Sequence, residues 1–175
     1  MLNLELAKHC QLCEHQIINF DRGSLCELTD SNPDFVNTCP NIKFGNKLEK
    51  SLVEINISHQ RAKKAKPLAY VMFIFFLLLS MAIMVGGYLL GKYVLSAGVI
   101  SGVPIVLFGV GVVVLQLGFG PFNKWKSDWS LASEKKSRVD SILAMYKVGY
   151  EIDIEFGKTY HGHQDIDVDL RMKKL

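Results

Sequence analysis

The sequence predicts a membrane protein: a two-helix transmembrane hairpin carrying a small cytoplasmic α+β cap. Three observations predict it. Two uncharged apolar runs lie close together in mid-chain, the charged residues are confined to the flanks, and all four cysteines fall within the first forty residues. Of the 175 residues 49% are hydrophobic and 21% charged, too apolar for an ordinary soluble domain and too charged for a chain held wholly in lipid. The two properties are segregated, since the charges stand up to Lys66 or after Asn123 with Lys92 alone between them. A net charge of +3 concentrated at the borders of the apolar region does not point to nucleic acid as a partner. The opening residues lack a basic start, an apolar run and a small-residue cleavage site, so no removable signal peptide is expected.

Residues 1–42 are expected to form a metal knuckle. Cys10, Cys13, Cys26 and Cys39 give the spacing C-x2-C-x12-C-x12-C. Four thiolates match the coordination number of a structural zinc ion, iron suits the same tetrahedral sulfur set, and the C-x2-C turn lets two sulfurs face one ion. Two disulfides and a redox-active C-x-x-C are the competing readings; a cytoplasmic location disfavours the first, and the second leaves Cys26 and Cys39 without a role. Turns are expected at Phe20-Asp21-Arg22-Gly23 and Asn32-Pro33-Asp34-Phe35, with Phe20, Leu25 and Phe35 shielding the metal. His9 and His15 flank the cysteine pair and are expected to be solvated histidines.

The run from Cys10 through Phe20-Asp21, Leu25-Cys26-Glu27-Leu28-Thr29 and Pro33-Asp34-Phe35 to Thr38-Cys39-Pro40 resembles the four-cysteine leader of small, mostly uncharacterised membrane proteins of Bacteroidota. The resemblance covers about residues 9–40. It implies a metal knuckle on the same four cysteines and carries no activity with it.

Residues 43–66 carry Leu48, Leu52 and Ile55 at helical spacing and end in Arg61, Lys63, Lys64 and Lys66, the pattern of an amphipathic juxtamembrane helix. The first span is expected at residues 68–90, a run without charge and longer than the roughly 20 residues needed to cross the hydrocarbon core. The second is expected at residues 97–119, where Pro104 either kinks the helix or occupies the first turn of a shorter one. Basic residues before the first span and after the second (Lys124, Lys126, Lys135, Lys136, Arg138) are expected to place both termini in the cytoplasm, and with the Bacteroidota resemblance this implies a hairpin in a bacterial inner membrane. Gly87, Gly91, Gly98, Gly102, Gly109 and Gly111 are the expected packing positions, within one hairpin or between copies.

Residues 124–149 read as a cytoplasmic helix with Leu131, Val139, Ile142, Leu143 and Tyr146 on its buried face. Residues 150–175 alternate in period two, giving a β-hairpin with Ile152, Ile154, Phe156, Ile166, Val168, Leu170 and Met172 on one side and acidic residues on the other, joined by a longish loop from Gly157 to Gln164. The acidic face and the His161/His163 pair are weak metal-site patterns, more in keeping with a solvated strand and loop. No nucleophile and base stand in a recognisable arrangement, so a non-enzymatic role is expected. The composite reading is an adaptor subunit, fixed to the lipid bilayer and presenting a docking domain to a membrane or cytosolic protein partner. The alternative is an oligomeric membrane effector or small channel built from glycine-rich hairpins.

Overall fold

The structure, a computed structural model, describes residues 2–94, 102–160 and 163–174. The elements in chain order are α1 (Leu2–Cys10), β1 (Gln16–Asn19), β2 (Gly23–Cys26), α2 (Asn46–Leu89), a π-turn (Leu90–Val94), α3 (Gly102–Met145), β3 (Val148–Tyr160) and β4 (His163–Lys174). The chain divides into two compact units, Gln60–Leu131 on one hand, and Met1–His59 with Ala132–Leu175 on the other.

Both long helices are apolar enough, over enough residues, to cross a membrane. Their most apolar windows have mean hydropathies of 2.7 and 2.2, and only 11% and 17% of those windows is buried. A core helix of a soluble protein with such composition is covered on every face; here Leu68, Val71, Phe75, Ile105, Val106 and Val113 remain exposed.

The juxtamembrane helix and first span, expected as separate elements, form one helix through Pro67, and the second span continues through Pro121 into the following helix. A proline removes one backbone donor and leaves a carbonyl of the preceding turn short of its partner. The carbonyl that Pro67 frees is that of Lys63, and the neighbouring helix bonds to the one before it: Trp125 Nε1–H donates to the carbonyl of Ala62 at 2.9 Å. Tyr70, Phe73, Phe119, Phe122 and Trp125 stack around the same stretch with ring centroids 5.0–5.8 Å apart. Tertiary packing thus carries helix across positions where local propensity alone would end it. Pro104 falls in the first turn of α3, where its missing N–H leaves nothing unpaired.

Within Gln60–Leu131 the helices meet at glycines, though not at all of those expected. A Cβ on Gly87 would stand 3.0 Å from Leu107 Cβ, one on Gly111 2.7 Å from Met84 Cγ, and one on Gly118 2.9 Å from Phe76 Cβ. Gly118 was not among the expected positions; it follows Gly111 by seven residues and so lies on the same face. Ser80, buried between the helices, donates its hydroxyl to the Gly111 carbonyl at 2.8 Å, a bond suited to a surrounding without water. Gly91 is buried, Gly102 and Gly109 face open space among the described residues, and Gly98 lies outside the described residues. Gly118→Leu should therefore destabilise the helix pair by about 1–3 kcal/mol through overpacking, because Phe76 Cβ is tied to its own backbone and cannot swing aside. Gly109→Leu should leave it nearly unchanged. Unfolding of each variant in a graded denaturing-detergent titration reads the difference.

In the other unit, the start of α2 and the end of α3 contribute to one core: Leu12, Leu48, Leu52, Val139, Ile142 and Leu143, with Phe44, Ile55, Tyr146, Val148, Tyr150 and Leu170 packed around it. Helical spacing accounts for the common face of Leu48, Leu52 and Ile55 in α2 and of Val139, Ile142 and Leu143 in α3. Leu131, expected to be buried, is exposed, and Ala132 is buried instead. The strands β3 and β4 alternate as expected, with Ile154 fully inside and Ile152, Phe156, Ile166, Val168 and Leu170 half-buried, whereas Met172 is exposed. The expected longish loop is absent. Pairing resumes beyond Gly157 at Thr159↔Gln164 and Tyr160↔His163, leaving Gly157 and Lys158 opposite Asp165 as a bulge. Gly157 permits this because a Cβ there would sit 3.2 Å from the Asp165 carbonyl oxygen. His161 lies outside the described residues, and the backbone of His163 opens β4.

Candidate metal centre

Four segments carry the cysteines to one place. Helix α1 ends at Cys10, and its chain turns at once, with Cys13 N–H donating to the Cys10 carbonyl at 3.0 Å. The hairpin of β1 and β2, in register from Gln16↔Cys26 to Asn19↔Gly23, delivers Cys26 at its end. Its turn follows from local chemistry: Asn19 Oδ1 accepts from the N–H groups of Asp21 and Arg22 at 2.8 and 3.3 Å, and Gly23 takes φ +79°, open to glycine at no steric cost. A second turn, in which Cys26 N–H donates to the Ser31 carbonyl, leads on to Cys39.

The four cysteines, as free thiols, line one cavity of about 20 Å³ together with His9, His15, Gln16, Leu25, Asn41 and Ile42. A space of this size suits one water-sized body and no organic cofactor. Cys10 and Cys13 are buried, Cys26 and Cys39 half-buried. Burial pushes the Cys10 thiol up to about 11, and the neighbouring sulfurs of Cys39, Cys13 and Cys26 push it the same way. Gathering four ionisable sulfurs out of water is unfavourable unless they stay protonated or share a cation, which reverses the sign of every one of these interactions. Lys43 N–H points at Cys13 Sγ from 3.5 Å. Among the described residues, no three His, Cys, Asp or Glu side chains already form a ligand set about a common point, so coordination would draw the sulfurs further into the cavity.

The knuckle is bolted to both long helices. Glu14 accepts from the backbone N–H of Lys47 at 2.8 Å, a carboxylate on the first turn of α2 where the helix dipole favours it. Gly45 makes room for that carboxylate, since a Cβ there would lie 2.7 Å from Glu14 Oε1. Lys47 Nζ donates to Gln16 Oε1 at 2.6 Å. At the end of α3, Tyr146 accepts from the Cys39 N–H at 2.8 Å and lies 3.1 Å from His9 Nδ1. Burial raises the Tyr146 phenol above its ordinary range; the Cys39 N–H works against that shift, and the nearby Cys39, Cys10 and Cys13 sulfurs reinforce it.

Three expectations change accordingly. His9 is buried, with Phe35 and Tyr146 edge-on to its ring, so it is a packing residue and not a solvated one. His15 is half-buried, its Nδ1 3.4 Å from Glu27 Oε2. Of the three residues expected to shield the centre, Leu25 is buried against the cavity and Phe35 is half-buried, but Phe20 is completely exposed at the turn after β1. Tyr146→Phe should keep the packing yet leave the Cys39 N–H without an acceptor, costing about 1–3 kcal/mol. Faster proteolysis of residues 1–45 with an unchanged helix pair is the expected readout.

A second polar cluster was not foreseen, because its members are scattered over three elements. Lys136 Nζ donates to Tyr150 OH at 2.6 Å and to Asn56 Oδ1 at 2.9 Å, and stands 3.4 Å from Asp140, while Tyr150 donates to Asp140 at 2.7 Å. Burial alone would lower the Lys136 ammonium, but the Tyr150 hydrogen bond and the Asp140 charge outweigh it and its pKa lies above the ordinary value. The ammonium has its donors committed to protein partners, which makes the cluster a tie between α2, α3 and β3 and not a ligand site. On the outer face of the β3–β4 hairpin, Glu151 is held below the usual carboxylate range by its hydrogen bond from Lys173, and Arg171 reaches Asp169; Asp153 and Asp169 directly face each other.

No family model, curated protein or solved structure matches this chain.

Proposed function

We propose that the chain is a membrane-anchored adaptor: the helical hairpin fixes it in a bilayer, and a knuckle held together by one zinc or iron ion on Cys10, Cys13, Cys26 and Cys39 presents a docking surface to a protein partner. One observation carries this reading. Cysteines spread over thirty residues line a single cavity with room for one ion, in a chain that also holds two helices whose apolar length suits a membrane. The knuckle has little apolar core of its own, so ion binding would supply much of its folding free energy. The thiol set and small cavity suit a structural ion without an open coordination position for chemistry.

The basic residues from Arg61 to Lys66 and from Lys124 to Arg138 support a bacterial inner-membrane location with both termini in the cytoplasm. A membrane-impermeant thiol reagent should then leave all four cysteines unmodified in intact cells and after permeabilisation with the metal retained, and modify them once membranes are opened and a chelator is added. Modification in intact cells would place the termini outside and favour disulfides. The alternative of hairpins assembling into an oligomer or channel draws less support, since Gly87 and Gly111 are occupied by packing inside one hairpin.

A further inference from the structure

The knuckle surface pairs two properties that seldom coincide on a free protein surface. Ile17, Ile18, Phe20, Leu28 and Val36 are exposed, Phe20 at 104% and Val36 at 92% of their full accessibility. Five large apolar side chains within twenty residues, held out by a two-stranded hairpin and the loop after it, are more than the scattered single exposures of an ordinary surface. The same stretch is acidic. Residues 14–36 hold Glu14, Asp21, Glu27, Asp30 and Asp34 against Arg22 alone among Lys and Arg, and all five carboxylates are exposed. Phe20 is followed directly by Asp21, and Val36 stands two residues after Asp34. The local hydrogen bonds of the Asn19 turn hold the tip in shape, so little ordering is required when a partner docks.

Charge decides which kind of partner fits. An exposed Phe and two Ile at a hairpin tip also suit insertion into lipid, but carboxylates around them are repelled by the anionic headgroups of a cytoplasmic leaflet. A polypeptide segment in which apolar side chains alternate with Lys or Arg satisfies both properties, with its apolar groups covering the tip and its cations facing the rim. We infer that the β1–β2 hairpin and the loop after it, with exposed Ile18, Phe20 and Val36 as apolar anchors and exposed Asp21, Asp30 and Asp34 as the carboxylates near them in sequence, form the docking surface for a basic, apolar-studded segment of a partner protein. The inference rests on the adaptor reading and names the chemistry of its partner.

The test uses the full chain in nanodiscs and two model peptides, one alternating Lys with Leu and one alternating Glu with Leu. The Lys–Leu peptide should bind saturably with an affinity that falls as salt rises, and the Glu–Leu peptide should not. Ile18→Ser with Phe20→Ser should weaken binding by about tenfold or more, as loss of central apolar anchors does. Asp21→Asn with Asp34→Asn should weaken it and flatten the salt dependence. A photo-crosslinking amino acid in place of Phe20 should label the peptide. Equal binding of both peptides, indifference to both double variants, or labelling of lipid in place of peptide each overturns the inference. Metal measured on the same samples separates the two levels: a metal-loaded chain that ignores the Lys–Leu peptide overturns the docking surface and leaves the metal knuckle standing. A metal-free chain that binds it through Phe20 overturns the metal knuckle and supports the docking surface.

Discussion

Cys13→Ser should cost the chain the ion proposed for its four cysteines and unfold the amino-terminal segment while leaving the helix pair intact. Cys13 is buried, sits at the turn between α1 and β1, and its sulfur has the Lys43 N–H as a donor. Serine keeps the size but is a poor ligand for zinc, and structural zinc sites of this kind contribute about 10 kcal/mol or more of apparent binding free energy. Without that contribution the β1–β2 hairpin is a two-stranded element of four residues a strand, marginal by itself in water. Limited proteolysis should cut residues 14–45 within the time that leaves the native chain whole. The helix pair should melt as in the parent chain, because its apolar length and the packing of Gly87, Gly111 and Gly118 are untouched.

The second large effect belongs to Leu143→Ala. Leu143 is 1% exposed and packs with Leu12 from the knuckle, Leu48 and Leu52 from α2, and Val139 and Ile142 from its own helix. Truncation removes buried methyl groups and leaves a cavity that two long helices cannot collapse, a loss of about 2–5 kcal/mol. Because Leu12 follows Cys10 by two residues and precedes Cys13, loosening this core also loosens the cysteine turn. Weaker metal retention at a fixed chelator concentration, along with easier denaturation of the unit that holds this core, is the expected result. An equivalent change at exposed Leu131 should do neither.

Much of this architecture is legible in the sequence because it depends on long, periodic signals. The uncharged runs, the period-two alternation of β3 and β4, and the i, i+4 spacing of Leu48 and Leu52 each repeat often enough to outweigh local exceptions. Three features were not legible. The breaks expected between residues 66 and 68 and between residues 119 and 124 do not occur: the helices pass through Pro67 and Pro121, where packing around Trp125 and its aromatic neighbours stabilises the pair. The expected loop at Gly157 is a bulge, since strand pairing on both sides outweighs a single glycine. Phe20 reads as a shield for the cysteines because it is aromatic and near them in sequence, but the Asn19 turn aims it outward. At the candidate site the cysteine set itself was legible from spacing. The fastening of the set by Glu14 and Tyr146 was not, since nothing in a linear pattern joins residue 39 to residue 146.

The account stands on four cysteines sharing one ion, and the most direct measurement is the metal content of the full chain purified from its own membranes without added metal. About one zinc or iron per chain is predicted, with all four thiols slow to alkylate until a chelator removes the ion and all four fast thereafter. A metal-free chain with four readily titrated thiols and an amino-terminal segment that still resists protease would contradict it.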